Sequence, residues 1–131
     1  MLLKEKRIFI IEDDLITRSI MQMILEQEGA TIAFERWGLD TEKRLNDFMP
    51  VDVILLDLMF PGNVTGYDIF DRIRLVPEFS QIPVVAVSAL DAMKKTRVKG
   101  FSGYIRKPID MGAFARQIAD IIDGKNVWNS G

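Results

Sequence analysis

The chain has 131 residues, 48% hydrophobic and 27% charged, which suits one domain with a single core. Seventeen basic residues against nineteen acidic ones leave a net charge of −2. That balance argues against a dedicated nucleic-acid surface or a polybasic membrane anchor. The absence of Cys and His excludes disulfide scaffolds, zinc fingers and thiol or imidazole catalysis. Any metal must then be held by oxygen, which favours a hard cation such as Mg²⁺ or Mn²⁺.

The longest apolar runs, such as Val53 to Leu56, are far too short for a membrane span, and Met1 to Arg7 lacks the apolar core of a secretory leader. The expected setting is cytoplasmic, with no membrane contact. In chain order, Arg7 to Ile11 reads as a strand buried on both faces. Leu15 to Glu28 reads as a helix with Ile16, Ile20, Met23 and Ile24 on one stripe and Gly29 as its stop. Thr31 to Phe34 is a weaker second strand, and Leu39 to Phe48 a second helix with Leu45 and Phe48 inward, closed by Pro50. Asp52 to Leu56 is the strongest strand and stops at Asp57. Pro61 to Gly66 is a loop by composition. Tyr67 to Val76 is helical, with Ile69, Phe70, Ile73 and Val76 at helix spacing. Pro83 to Val87 is a fourth strand ending at Ser88, and Asp91 to Lys99 a short helix with a poor apolar stripe. Gly103 to Ile105 is a fifth strand. Asp110 to Ile122 is the last helix, with Met111, Phe114, Ile118 and Ile121 inward. Residues 1–122 thus form one domain, and 123–131 a polar, mobile tail.

Strands separated by helices pair in parallel through right-handed crossovers, which gives a doubly wound α/β sandwich. In such sheets the functional crevice lies at the carboxyl ends of the strands. Those ends carry Glu12-Asp13-Asp14, Asp57, Ser88 and Arg106-Lys107-Pro108. With strand order 2-1-3-4-5, Glu12, Asp13 and Asp57 converge, facing Ser88 and Lys107. Carboxylates crowded together repel, so at least one pKa rises unless a cation intervenes. Mg²⁺ takes one or two carboxylates and keeps positions for phosphate oxygens. Lys107 and the Ser88 hydroxyl suit a dianionic phosphoryl group, and a carboxylate such as Asp57 can act as the nucleophile.

Each feature has an ordinary reading too. Acidic residues and Ser88 cap helices, Asp57 starts a turn, and a lone Lys is usually solvated. The combination is what stands out, since independent caps need not place a base on one strand facing acids on two others.

These residues resemble a response regulator receiver domain of the two-component, chemotaxis-regulator-like kind, over roughly Arg7 to Ile122. The resemblance rests on Ile-Ile-Glu12-Asp13-Asp14, Leu-Leu-Asp57-Leu-Met-Phe-Pro61, Val-Ser88-Ala89 and Gly103-Tyr104-Ile-Arg-Lys107-Pro108. It implies a flavodoxin-like (βα)5 sandwich and assigns roles residue by residue. Asp57 accepts a phosphoryl group from a histidine kinase or phosphotransfer protein. Glu12, Asp13, Asp57 and the Met59 backbone carbonyl hold Mg²⁺. Lys107 and Ser88 contact the phosphoryl group, Tyr104 changes rotamer with Ser88, and Ala89 leaves space. Lys107-Pro108 carries a cis peptide. The face from strand 4 to the last helix then switches to control an output partner.

The chain also departs from the family pattern. Ser88 to Lys107 is short, so the fourth helix is truncated or irregular and the usual output or dimer surface is not assured. Lys94, Lys95, Arg97 and Lys99 make it basic, either as a solvated face or for an acidic partner. The loop from Asp57 to Gly66 is one residue longer than the commonest form. Met59 and Leu90 are apolar where attacking water must be held, which implies a long-lived phosphoryl state. With nine residues after Ile122, the expectation is a stand-alone receiver that binds a partner or relays phosphate, as a monomer or a phosphorylation-dependent dimer, the alternative being a fragment of a longer chain. Competing readings are a Mg²⁺-dependent phosphatase with an aspartate nucleophile and a receiver-like module that is never phosphorylated. Met59 stands where such phosphatases place a second Asp, and the complete acid set disfavours the unphosphorylated module. A flavodoxin-like FMN binder shares the architecture but needs a Ser/Thr/Gly-rich loop after the first strand, which is absent.

Overall fold

The computed structural model describes residues 1–129. Its strands are β1 (Arg7–Ile11), β2 (Thr31–Glu35), β3 (Val53–Leu56), β4 (Val84–Ser88), β5 (Gly103–Arg106) and β6 (Val127–Asn129). Its helices are α1 (Leu15–Gln27), α2 (Thr41–Phe48), α3 (Gly66–Leu75), α4 (Met93–Lys99) and α5 (Phe114–Ile122), with one 3-10 turn at Pro77–Phe79. The sheet is parallel throughout, in the order β2-β1-β3-β4-β5-β6. The order of the first five strands is the expected one; the sixth was not foreseen. The expected mobile tail is corrected for residues 127–129, which pair with β5, while its last two residues lie outside the described part.

The strands alternate between two cores, as a two-residue period requires. Ile8, Ile10, Val53, Leu55, Val85, Val87 and Ile105 pack under α1 and α5. Phe9, Ile11, Ile54, Leu56, Val84, Ala86 and Tyr104 pack under α2 and α3 and beside α4. Both faces of the central strands are covered, which is why those strands read as unbroken apolar runs.

The helix starts show which local bonds win. Asp14 caps α1, accepting from Ile16 N at 3.1 Å and the Thr17 hydroxyl at 2.7 Å. The face of α1 turned to the sheet carries Met21, Ile24 and Leu25, whereas Ile16 is 72% exposed and Met23 is exposed as well. The apolar arc is wider than the buried one, so the stripe read from sequence is displaced from the true face. Helix α2 starts at Thr41 because the buried Glu35 carboxylate accepts from Asp40 N at 2.5 Å and the Thr41 hydroxyl at 2.6 Å. Leu39 therefore stays outside the helix. Helix α3 opens with a capping box between Thr65 and Asp68 and closes before Pro77. Helix α5 starts at Phe114 because the Asp110 carboxylate takes Gly112 N at 2.9 Å in a local turn. Met111 is consequently exposed instead of inward.

The connections differ in hand. Helix α1 lies on one face where the chain steps from β1 out to β2; α2, α3 and α4 lie on the other face where it steps the opposite way. These crossovers share one hand, the right-handed one that parallel strands adopt. Helix α5 shares the α1 face but steps outward to β6, so the last crossover has the opposite hand.

Candidate phosphoryl and metal site

The parallel order puts the carboxyl ends of β1 and β3 side by side, with β4 and β5 next to them. Oxygens of Glu12, Asp13 and Asp57 lie within 4.8 Å of one another. Glu12 is 1% exposed and Asp57 8% exposed, so both negative charges are largely withdrawn from water. Lys107 reaches in from beyond β5, with Nζ 2.6 Å from Glu12 Oε1 and 3.2 Å from Asp57 Oδ2.

The backbone orients these groups. Asp57 Oδ1 accepts from Leu58 N at 2.7 Å and Met59 N at 3.4 Å, while Oδ2 faces Lys107. Glu12 Oε2 accepts from Asp14 N at 3.2 Å. Arg36 Nε donates to the Asp13 carbonyl at 3.2 Å and steadies the acidic loop from the β2 side. Gly66 lets the loop after β3 close: a Cβ there would sit 2.2 Å from the Asp57 carbonyl oxygen and 2.8 Å from Leu58 Cα. Only glycine fits such an approach.

The electrostatics follow from burial. Glu12 is pushed up from 4.5 to about 7, first by loss of water and then by the charge of Asp57, with Lys107 opposing. This is the rise expected from the sequence. Lys107 is itself held above its ordinary value: burial pulls it down, but its contacts with Glu12 and Asp57 outweigh that. Glu12 Oε1 is the buried oxygen turned to Lys107, within ion-pair distance of its ammonium. Clustered, largely buried carboxylates fit the donor set of a hard divalent cation, which would share them with Lys107.

Ser88 ends β4, and its hydroxyl accepts from Leu90 N at 3.2 Å. Tyr104 is wholly buried; its hydroxyl donates to the Leu90 carbonyl and accepts from Ala92 N at 3.4 Å. Arg106 Nε donates to the Ala89 carbonyl at 3.1 Å. The Lys107–Pro108 peptide is cis, as the resemblance implied. The side chains of Met59 and Leu90 lie exposed at the rim. Sequence reasoning missed Arg36, which left no signal, and gave no role to Arg106, named only beside Lys107, or to Gly66, named only as the close of a loop.

Helix α4 spans only seven residues and buries only Thr96, in keeping with the truncation expected. Three of its four basic side chains have partners within the chain. Lys95 lies 4.3 Å from the Tyr67 ring centroid, Arg97 4.5 Å from that of Trp128, and Lys99 pairs with Asp71 at 2.8 Å. Among the described residues, no helix is long and apolar enough to cross a membrane.

Known proteins are similar to this chain in sequence and in fold. The chain is 32% identical over 111 residues to the uncharacterized transcriptional regulatory protein YbdJ of Bacillus subtilis, covering 82% of this chain and 47% of that protein. It is 25% identical to an uncharacterized 14.6 kDa protein in the sodA1 3′ region of Leptolyngbya boryana, covering 82% of this chain and 83% of that one. The chain spans about half the length of the first curated relatives it matches. In fold it is similar to a response regulator structure from Chloroflexus aurantiacus, with a TM-score of 0.82 at 20% identity over 92% of this chain and 99% of that one. The model of the response regulator receiver domain matches residues 8–119. With that match over most of its length, and with the acid cluster and lysine at the ends of the parallel strands, the chain belongs to the response regulator receiver domain family of two-component systems.

Proposed function

We propose that this receiver takes a phosphoryl group onto Asp57 from a histidine kinase or phosphotransfer protein. The single observation that carries this reading is the placement of Asp57: one oxygen is tied to backbone N–H groups and the other faces Lys107 beside Glu12 and Asp13. A carboxylate so held is oriented before the donor arrives, and positioning is most of what phosphoryl transfer asks of a protein. Glu12, Asp13, Asp57 and the Met59 carbonyl would hold Mg²⁺ or Mn²⁺. When bound, that ion supplies charge neutralisation for the incoming phosphoryl oxygens.

In the transfer, an oxygen of Asp57 forms the bond to phosphorus while the bond from phosphorus to the donor breaks, and the donor leaves with its electron pair. Lys107, already paired to Asp57, turns its charge to the new phosphoryl oxygens. Ser88 donates its hydroxyl hydrogen to another, and Ala89 keeps the space open. The acyl phosphate brings roughly −1.5 to −2 charges and new acceptors to one point. Ser88, the 89–92 loop and Tyr104 then bias the β4–α4–β5–α5 face, which here includes β6, toward partner binding. The setting is cytoplasmic and the partner a protein. Transcriptional regulators among the relatives make a nucleic-acid output the second reading; it requires chain beyond the receiver, and the near-neutral charge here does not supply it.

The test is incubation of the chain with acetyl phosphate and Mg²⁺, followed by intact mass and peptide mapping. A phosphoryl gain localised to Asp57 supports the reading; a gain elsewhere, or none, removes it.

The lifetime of that state is a separate expectation. Met59 and Leu90 stand two residues beyond Asp57 and Ser88, and neither side chain can hold an attacking water. Replacing them together, as Met59→Asn with Leu90→Gln, is expected to speed loss of phosphate about tenfold, the worth of one added hydrogen bond in the transition state. The decay of the phosphorylated mass species measures it, and an unchanged half-life counts against the assignment.

A further inference from the structure

Among the described residues, β6 is the one strand without a counterpart in the (βα)5 plan, and its contacts lead back to the site. It pairs in register with β5, Gly103 beside Val127 and Tyr104 beside Trp128. A three-residue strand reached through a crossover of unfavoured hand gains little from topology. Its hold therefore comes from side chains. Val127 packs into the core under α1 and α5, and Trp128 into the core that contains Tyr104. Gly103 leaves room for this approach, since a Cβ there would lie 3.0 Å from the Val127 carbonyl oxygen. Arg97 of the thinly anchored α4 stacks on the Trp128 ring.

Tyr104 is the link. Without β6 it stands on the outermost strand, where an amphipathic ring can turn its hydroxyl to water at little cost. With Trp128 alongside it is wholly buried, and its hydroxyl grips the Leu90 carbonyl and Ala92 N. Leu90 N in turn donates to Ser88 Oγ. A continuous set of contacts thus runs from Trp128 through Tyr104 and Leu90 to the hydroxyl at the phosphoryl site.

We infer that Trp128 is a positioning residue for the phosphoryl site, holding Tyr104 buried so that the 88–90 segment stays drawn toward Asp57. The inference rests on the reading of Asp57 as phosphoacceptor. Because coupling between sites is reciprocal, phosphorylation tightens β6 against β5 by the factor that β6 favours phosphorylation.

Two measurements test this. The first is the rate of Asp57 phosphorylation by acetyl phosphate with Mg²⁺ in wild type, Trp128→Ala and Trp128→Phe, each checked for folding by its unfolding midpoint. Trp128→Ala is expected to react about fivefold more slowly, through partial loss of the pre-set position of the 88–90 segment, and Trp128→Phe to recover most of the rate. The second is hydrogen exchange on wild type with and without beryllofluoride and Mg²⁺; amides of 103–105 and 127–129 are expected to gain protection. A folded Trp128→Ala chain reacting at the wild-type rate overturns the inference, and so does unchanged exchange at β6. If Trp128→Ala fails to fold, the exchange experiment decides alone. Absence of an Asp57-dependent mass gain in wild type sinks the phosphoacceptor reading and this inference with it, whereas a normal gain with an unmoved Trp128 variant sinks only the inference.

Discussion

Asp57→Asn is expected to abolish the phosphoryl mass gain while leaving the fold intact. The amide has nearly the shape of the carboxylate, so its oxygen can still accept from Leu58 N and Met59 N, the bonds that shape the start of the β3–α3 loop. Its nitrogen then occupies the place of Oδ2, where Lys107 Nζ stands 3.2 Å away. Donor meets donor there, and Lys107 is left with Glu12 as its one charged partner at the site. The amide is also no nucleophile toward phosphorus at neutral pH, so the acceptor chemistry disappears. An equal gain of mass in both proteins would take Asp57 out of its role. A second consequence is electrostatic. The charge of Asp57 is the second largest cause of the raised Glu12 pKa, so in this variant Glu12 returns part of the way toward its ordinary value. Carboxyl-carbon NMR titration of wild type and variant reads that change directly.

The sheet was legible because burial on both faces leaves a strong trace: β1, β3 and β4 are runs of Ile, Leu and Val with little else. The acid cluster was legible for a related reason. Parallel strands all end at one edge, so a residue placed just after an apolar run has its position set by topology. Glu12, Asp57 and Lys107 could be brought together on paper before any distance was known. What resisted reading lay where weak, long-range terms decide. The buried face of α1 depended on the angle at which the helix sits on the sheet, and Ile16 and Met23 gave no sign of being on the wet side. The start of α2 depended on Glu35, a buried carboxylate on another element. Strand β6 was hidden by its shortness and its polar flanks. Val127 and Trp128 are two apolar residues in a tail otherwise composed for water, and their burial depends on the edge left open by β5 and on Arg97. The local pattern could not carry that information, because the partner lies 24 residues away, Gly103 beside Val127, and the pairing strand is itself marginal.

Glu12 should make the metal-free protein less stable as pH rises, the reverse of an ordinary ion-paired carboxylate. Its folded pKa of about 7 lies above the 4.5 of the unfolded chain. Between those values the folded state binds more protons than the unfolded one, so stability contributed by protonated Glu12 is present at the acid end and lost as pH climbs through 7. The difference amounts to about 3 kcal/mol, at 1.36 kcal/mol per pKa unit. Lys107 does not shape this window, because its raised pKa affects stability only where lysines titrate, above it. Other carboxylates contribute slopes of the usual sign, Glu42 beside Arg72 among them. The informative quantity is therefore the difference between wild type and Glu12→Gln, taken from urea unfolding in chelator across the window. Glu12→Gln is expected to be the more stable of the two at pH 8 and to lose that advantage by pH 5. Mg²⁺ reverses the ranking at pH 8, since it binds the ionised form and stabilises in proportion to RT ln(1 + [L]/Kd). The glutamine variant, short of one charged ligand, gains less. A wild type whose excess stability over Glu12→Gln grows with pH in chelator would mean that Lys107, rather than burial and Asp57, governs Glu12. The acid cluster would then be satisfied without a cation, and the case for one would have to rest on binding measurements alone.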